Sequence, residues 1–232
     1  MSPLISVIIP VYCEDRRINL TIENLKASAP EMISLAEIIV VDGDPEQSTL
    51  KVINDPDIIK KESEPGRGVQ MNNGARAATA DVLLFLHADT ILPANALNTI
   101  LDVCRDKDIV AGAFDLVIDA PHPGFRLIEK TATLRSRITR IPFGDQAIFI
   151  KTDCFKKLGG YKPVPLMEDV EIMLRIRQKG HQIRFISDPV ITSARRWKKE
   201  GMIYTTLRNW ILQLLFYTGV SPEKLKTYYH FF

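Results

Sequence analysis

Three short apolar runs in the first half of the chain each lead into acidic or other polar residues, and that alternation constrains the fold more than any other feature. Leu4 to Val11 is apolar and rich in β-branched side chains, as a strand buried on both faces requires. Ile38 to Val41 repeats the pattern and stops on Asp42; Val82 to Leu86 does so again and runs into His87-Ala88-Asp89. Between the runs the spacing turns helical. Ile18, Ile22 and Leu25 share one face within Arg16 to Ser28, Pro30 ends that segment, and Gly68 to Ala80 is an Ala-rich stretch. Repeated strand–helix–strand units predict an α/β fold with a mainly parallel central sheet flanked by helices and right-handed crossovers. Such sheets bind ligands beyond the carboxyl ends of their strands, so Tyr12 to Glu14, Asp42 and Asp89 should reach one rim.

The second half is less regular. Val110 to Asp119 and Gln146 to Ile150 read as strands, with a helix from about Phe125 to Arg140 between them. Asp169 to Lys179 is amphipathic: Val170, Ile172, Met173 and Ile176 are apolar, Arg175, Arg177 and Lys179 polar, and Gly180 supplies the stop. Met202 to Tyr217 reads as another helix, and Ser221-Pro222-Glu223 opens a short last one. No repeat, low-complexity tract or linker divides the 232 residues, which predicts one domain.

Composition narrows the function. Thirty Lys and Arg against 28 Asp and Glu leave a net charge of +2, too little to draw nucleic acid or a membrane by bulk electrostatics. A chain of this size buries enough core to fold without a disulfide or structural metal. Cys13, Cys104 and Cys154 are odd in number and lack metal-ligand spacing, so free buried thiols in a reducing compartment are expected. The Met-Ser-Pro-Leu-Ile-Ser start has no signal-peptide character, and no run reaches the roughly 20 apolar residues that span a bilayer. The longest, Trp210 to Val220, is short and broken by Gln213. The expectation is a cytoplasmic protein.

Four segments carry candidate chemistry. Asp42 and Asp89 are each an ordinary cap taken alone, but two at one rim, with Glu14 near, suit a nucleotide or metal–phosphate site. Glu64-Pro65-Gly66-Arg67-Gly68 puts glycines around an arginine at a helix start, where backbone N–H groups can meet an anion. Glu168-Asp169 stands at the start of the amphipathic helix, where acids favour the dipole and where one carboxylate could accept a proton from an attacking hydroxyl. Arg195-Arg196-Trp197-Lys198-Lys199 is a basic cluster suited to a diphosphate, or to a solvated helix face with Trp197 as its anchor.

In order and spacing, these pieces resemble the family 2 glycosyltransferases of the GT-A nucleotide-diphospho-sugar fold. The resemblance is carried by Val7-Ile8-Ile9-Pro10-Val11-Tyr12-Cys13-Glu14, Glu37-Ile38-Ile39-Val40-Val41-Asp42-Gly43, Ala80 to Asp89, Glu168-Asp169 and Arg196-Trp197. The segments Leu86 to Thr90, Gly144-Asp145-Gln146-Ala147 and Pro165 to Asp169 look like a bacterial subgroup associated with arsenosugar biosynthesis and radical-SAM or selenodomain proteins. That resemblance implies residues 1–90 as a nucleotide-binding half, 91–200 as an acceptor and catalytic half, and 201–232 as C-terminal helices. It implies Pro10, Tyr12, Glu14, Asp42, Arg67 and His87 around the nucleotide, with Asp42 on the base and a bias toward uracil. It puts Mg²⁺ or Mn²⁺ at Asp89, the base at Asp169, and Glu168, Arg196 and Trp197 near the diphosphate and acceptor. Two departures touch the donor site: His87 stands where the family's Asp-x-Asp begins, and Asp44-Pro45-Glu46-Gln47-Ser48-Thr49 replaces its usual Gly-Ser-Thr-Asp turn.

The expected activity is inverting transfer of a sugar to a small-molecule hydroxyl. A sugar-phosphate nucleotidyltransferase would want a Gly-rich, basic loop directly after the first strand, where this chain has Val11-Tyr12-Cys13-Glu14. A catalytically weak nucleotide-sugar-binding protein is kept open by His87. The apolar face of Thr205 to Phe216 is expected to pack in the core rather than lie at a membrane surface.

Overall fold

A computed structural model of the chain describes residues 2–231, so Met1 and Phe232, the two ends of the expected span, lie outside the described residues. In chain order the elements are β1 (Ile5–Val11), α1 (Ile18–Ser28), β2 (Ala36–Asp42), α2 (Ser48–Lys51), β3 (Ile58–Glu62), α3 (Arg67–Ala77), β4 (Val82–Phe85), β5 (Thr90–Ile91) and α4 (Ala96–Cys104). There follow β6 (Ile109–Asp119), α5 (Pro123–Thr139), β7 (Phe149–Lys151), α6 (Thr152–Leu158), α7 (Glu168–Gln178), β8 (Gln182–Ser193), α8 (Arg195–Glu200), α9 (Met202–Tyr217) and α10 (Pro222–Phe231).

All eight strands join one sheet in the order β3-β2-β1-β4-β7-β6-β8-β5. The first half is parallel throughout: β1 pairs with β2 and β4, and β2 with β3. The expected mainly parallel sheet becomes mixed beyond β4. There β7 runs antiparallel to both β4 and β6, while β6 and β8 are parallel. β1 reads as an unbroken apolar run because both of its faces are covered. Ile5, Val7 and Ile9 meet α1 and α4 on one side, and Ile8 meets α3 and α7 on the other.

Glycine sets how closely α3 lies on that second face. A Cβ at Gly74 would stand 2.5 Å from Ile8 Cγ2 and 3.1 Å from Val41 Cγ2. Gly74 thus serves packing, a use the anion-binding reading of the segment had not included. At the far edge, β8 is twelve residues long and contains Asp188-Pro189. The strand survives them through a bulge: Phe114 faces Ile186 and Asp115 faces Pro189, so Ser187 and Asp188 are looped out of register.

Two expectations about burial fail. Cys13 is exposed, Cys104 partly buried and only Cys154 buried, although all three are free. The apolar face of α9 packs in the core only in part: Leu212 is buried and Leu215 and Phe216 lie against the core, but Ile203, Leu207, Trp210, Ile211 and Leu214 are exposed. Among the described residues no helix is long and apolar enough to cross a membrane.

Replacing Gly74 with Ala should lower the free energy of unfolding by roughly 1–3 kcal/mol through overpacking against Ile8. Urea denaturation checks this, and an unchanged midpoint would contradict the close approach of α3 to β1.

Candidate active site

The parallel register brings the ends of β1 and β2 level, Val11 opposite Asp42, and the chain leaves β4 beside them through His87-Ala88-Asp89. Gln70 on α3 ties this rim together by donating from Nε2 to Val11 O at 2.6 Å and Val41 O at 3.0 Å. A cleft of about 210 Å³ opens beyond the rim, reached by His87, Asp89, Asp145, Asp169, Arg195 and Arg196. Its outer wall comes from the C-terminal helices, through Thr206, Asn209 and Trp210 on α9 and Tyr229 on α10.

Asp169 sits in the first turn of α7, after Met167 in a left-handed conformation (φ 64°). Gly144 N donates to Asp169 Oδ2 at 2.7 Å. Only glycine fits there, because a Cβ would stand 2.9 Å from His87 Nε2 and 3.3 Å from Asp169 Oδ2. Gln146 holds that turn in place: its Oε1 accepts from Ser136 Oγ and from Phe143 N, and its Nε2 donates to Phe114 O. His87, Gly144 and Asp169 are thereby fixed in mutual contact.

The electrostatics separate these groups. Removal from water, then Arg67 and Arg196, push His87 down to about 3, so its imidazole is neutral at physiological pH. Asp145 goes the other way, up to about 6, through burial and then the charge of Asp169. Its Oδ1 is buried without a hydrogen-bond partner.

Cations surround the carboxylates. Arg195 Nη2 lies 2.9 Å from Glu14 Oε1 and 3.8 Å from Asp89 Oδ2, linking the end of β1 to α8 across the cleft. Burial raises the Asp89 carboxyl, and Arg195 offsets that only in part because it is committed to Glu14. Arg67 Nε pairs with the buried Glu168 at 2.9 Å, which keeps the guanidinium firmly charged. Arg196 lines the cleft, and Trp197 anchors α8 by donating to Thr206 Oγ1 at 3.3 Å and setting its ring edge-on to Phe125.

Residues 6–158 match the profile of Glycosyl transferase family 2, about two thirds of the chain. The chain belongs to glycosyl transferase family 2. A protein of Nostoc sp. (strain PCC 7120) described as an uncharacterized glycosyltransferase is 33% identical over 113 residues, 46% of this chain and 34% of that one, so the match spans about a third of the relative's length. Among solved structures, a mannosyltransferase from Pyrobaculum calidifontis in complex with GDP-Man and Mn²⁺ superposes with a TM-score of 0.70 at 20% identity, covering 99% of this chain and 69% of the other. TarS 1–349 of S. aureus in complex with UDP-GlcNAc gives 0.64 at 18% identity, covering 82% and 58%. These likenesses establish the GT-A fold.

As a family 2 glycosyltransferase, the chain uses its expected residues unevenly. Glu14, Arg67, His87, Asp89, Glu168, Asp169, Arg196 and Trp197 lie in the cleft or on the ion pairs that border it. Tyr12 is exposed at the end of β1. Pro10 and Asp42 stand apart from the cleft lining. Pro10 is buried within β1 opposite Val41, and Asp42 is 1% exposed. The Asp42 carboxylate is spent on the loop behind it, accepting from the backbone N–H groups of Asp44, Thr49 and Leu50, which is the capping use of such a residue. Asp145 and Arg195 had been given no individual role, though both stood in segments the sequence singled out. Arg195 was visible as a neighbour of Arg196, and the signal for Asp145 was the Gly144-Asp145-Gln146 turn itself.

The folded protein holds a proton on Asp145 between the ordinary carboxylate value of 3.8 and about 6. Its charge therefore costs nothing below that window and its full amount above it. Asp145→Asn should raise stability by roughly 1–3 kcal/mol well above pH 6 and leave it unchanged near the lower limit. Urea unfolding across that range checks the sign; a gain that grew as pH fell would contradict it.

Proposed function

We propose that the chain transfers a sugar, with inversion, from a nucleotide-diphospho-sugar to a hydroxyl of a small-molecule acceptor. The observation that carries this reading is Asp169: its Oδ2 accepts from Gly144 N–H and its Oδ1 from Val170 N–H, in a cleft that Asp89, Arg195 and Arg196 also line. A base on one side and phosphate-gripping cations on the other are what an in-line displacement at an anomeric carbon requires. The acceptor oxygen forms its bond to the anomeric carbon as the carbon–oxygen bond to the diphosphate breaks, and the diphosphate leaves with the electron pair. Asp169 takes the hydroxyl proton. Attack opposite the leaving group inverts the anomeric centre.

Glu14, Tyr12 and the neutral His87 border the donor end in this reading, with Arg67 held against Glu168 at the entrance to α7. Residues 1–90 serve the donor and 91–200 the acceptor and the base, with the C-terminal helices closing the cleft. A UDP-linked donor follows from the resemblance at the β1 and β2 ends, and the bound GDP-Man and UDP-GlcNAc of the structural relatives support a nucleotide-sugar in general. The Leu86 to Thr90, Gly144 to Ala147 and Pro165 to Asp169 segments support the arsenosugar-associated subgroup.

Asp89 fits a divalent ion. It is a partly buried carboxylate whose nearest cation, at 3.8 Å, already serves Glu14. Among the described residues no cluster of three or more His, Cys, Asp or Glu could hold a metal, so the diphosphate itself would complete the coordination, as is usual for Mg²⁺ or Mn²⁺. Such an ion would neutralise charge growing on the leaving diphosphate.

Asp169→Asn should leave nucleoside-diphosphate binding nearly intact by thermal shift with Mn²⁺, while release of nucleoside diphosphate from a donor panel falls about 10²–10⁴-fold. Turnover close to that of the wild type would remove Asp169 from the role of base.

A further inference from the structure

Helix α9 is built inside out. Ile203, Leu207, Trp210, Ile211 and Leu214 share one helical face by their spacing and point outward, with Ile203 71% and Leu214 64% exposed. Thr205, Arg208 and Gln213 are buried, with Leu212 as the one fully buried apolar side chain of the helix. The polar inner side is held where it lies: Arg208 Nη2 pairs with Glu200 Oε2 at 2.7 Å and its guanidinium stacks over Tyr229 at 4.3 Å, although Nε is buried without a hydrogen-bond partner among the described residues. Turning the helix to hide the apolar face would break those contacts.

Helix α5 lies alongside in the same direction. Gly124 abuts Met202, and Arg135 Nη1 donates to Gln213 Oε1 at 2.9 Å, both at an offset of 78 residues. The outward residues of α5 are Leu127, Leu134 and Ile138, flanked by exposed Arg126, Lys130 and Arg137. The two helices therefore present neighbouring apolar stripes on one side of the molecule.

The segments that carry these helices are basic: residues 121–140 and 195–231 hold twelve Lys and Arg against three acids, whereas the whole chain has an excess of only two. Arg135 and Arg208 turn inward and Arg195 and Arg196 line the cleft, which leaves Arg126, Lys130, Arg137, Arg140, Lys198, Lys199, Lys224 and Lys226 as the exposed cations. An apolar face bordered by Lys and Arg is complementary to an anionic lipid surface, which offers acyl contact and opposite charge together. A second copy of the chain would instead set two basic borders against each other.

We propose that the α5–α9 face docks this protein onto the surface of an anionic lipid bilayer, lying in the interface without crossing it. Ala132 and Trp210, opposite each other at the same 78-residue offset, line the cleft, so docking would bring its mouth to the headgroups. The proposal concerns location and holds whether or not Asp169 is the base.

Flotation of the full chain with vesicles of phosphatidylcholine alone, and with an equal part of phosphatidylglycerol, tests it. The wild type is expected to float with the anionic vesicles. The triple variant Ile203→Ser, Leu207→Ser, Leu214→Ser should bind on the order of tenfold less or weaker, with its thermal melting unchanged because those side chains are exposed. Lys198→Gln with Lys199→Gln should weaken the preference for phosphatidylglycerol. No flotation of the wild type, or undiminished flotation of the triple variant, would overturn the proposal. So would a dimer in sedimentation that the triple variant turns to monomer while neither binds vesicles, which would assign the face to a second copy.

Discussion

Gly144 N–H stands 2.7 Å from Asp169 Oδ2, in a space that a single Cβ would close by meeting His87 Nε2 at 2.9 Å. That contact joins three parts of the chain that are far apart in sequence: the end of β4, the turn before β7 and the start of α7. The buried Gln146 fixes the turn from behind, and the Arg67–Glu168 pair fixes the helix start from the side. The placement of Asp169 thus rests on backbone geometry and buried hydrogen bonds rather than on a mobile loop. This is the preorganisation a general base needs if it is to meet a hydroxyl without reorganising.

A division of charge follows from the same frame. His87, pushed down to about 3 by burial, adds no charge to the cleft at neutral pH, while Asp145, raised to about 6, gives up its charge only below that. Charge is kept at the edges, in Arg195 between Glu14 and Asp89 and in Arg67 on Glu168. His87, in place of the family's first Asp-x-Asp carboxylate, fits this pattern: a neutral ring beside Gly144 where a second anion would have crowded Asp169 and Asp145. The departure that looked like a loss in the donor site also keeps a further like charge away from Asp169.

The elements legible in the sequence were those with strong local signals. β1, β2 and β4 were readable because burial on both faces leaves unbroken β-branched runs, and α7 and α9 because apolar residues recur at helical spacing. β8 was not readable. Its Asp188-Pro189 imitates a turn, and only the bulge against β6 shows how a strand can contain them. The burial of α9 was misjudged for a related reason: periodicity reveals that a helix has an apolar face, but not whether that face turns inward. At the site, Asp169 and Asp89 were legible through motif order. The capping hydrogen bonds of Asp42 were not legible, because an acid at a strand end looks the same whether it faces a ligand or caps its own loop. Asp145 and Arg195 depend on contacts between distant segments, which no local pattern encodes.

The central claim is that donor and base meet in this cleft with the diphosphate on the Asp89–Arg195–Arg196 side and the anomeric carbon turned toward Asp169. A crystal structure of the chain with an unreactive UDP-sugar analogue and Mn²⁺ tests it most directly. The account predicts the metal on Asp89 and the diphosphate, and open space for one hydroxyl between the anomeric carbon and Asp169. A nucleotide bound outside the cleft, or Asp169 found on the same side of the anomeric carbon as the diphosphate, would contradict it.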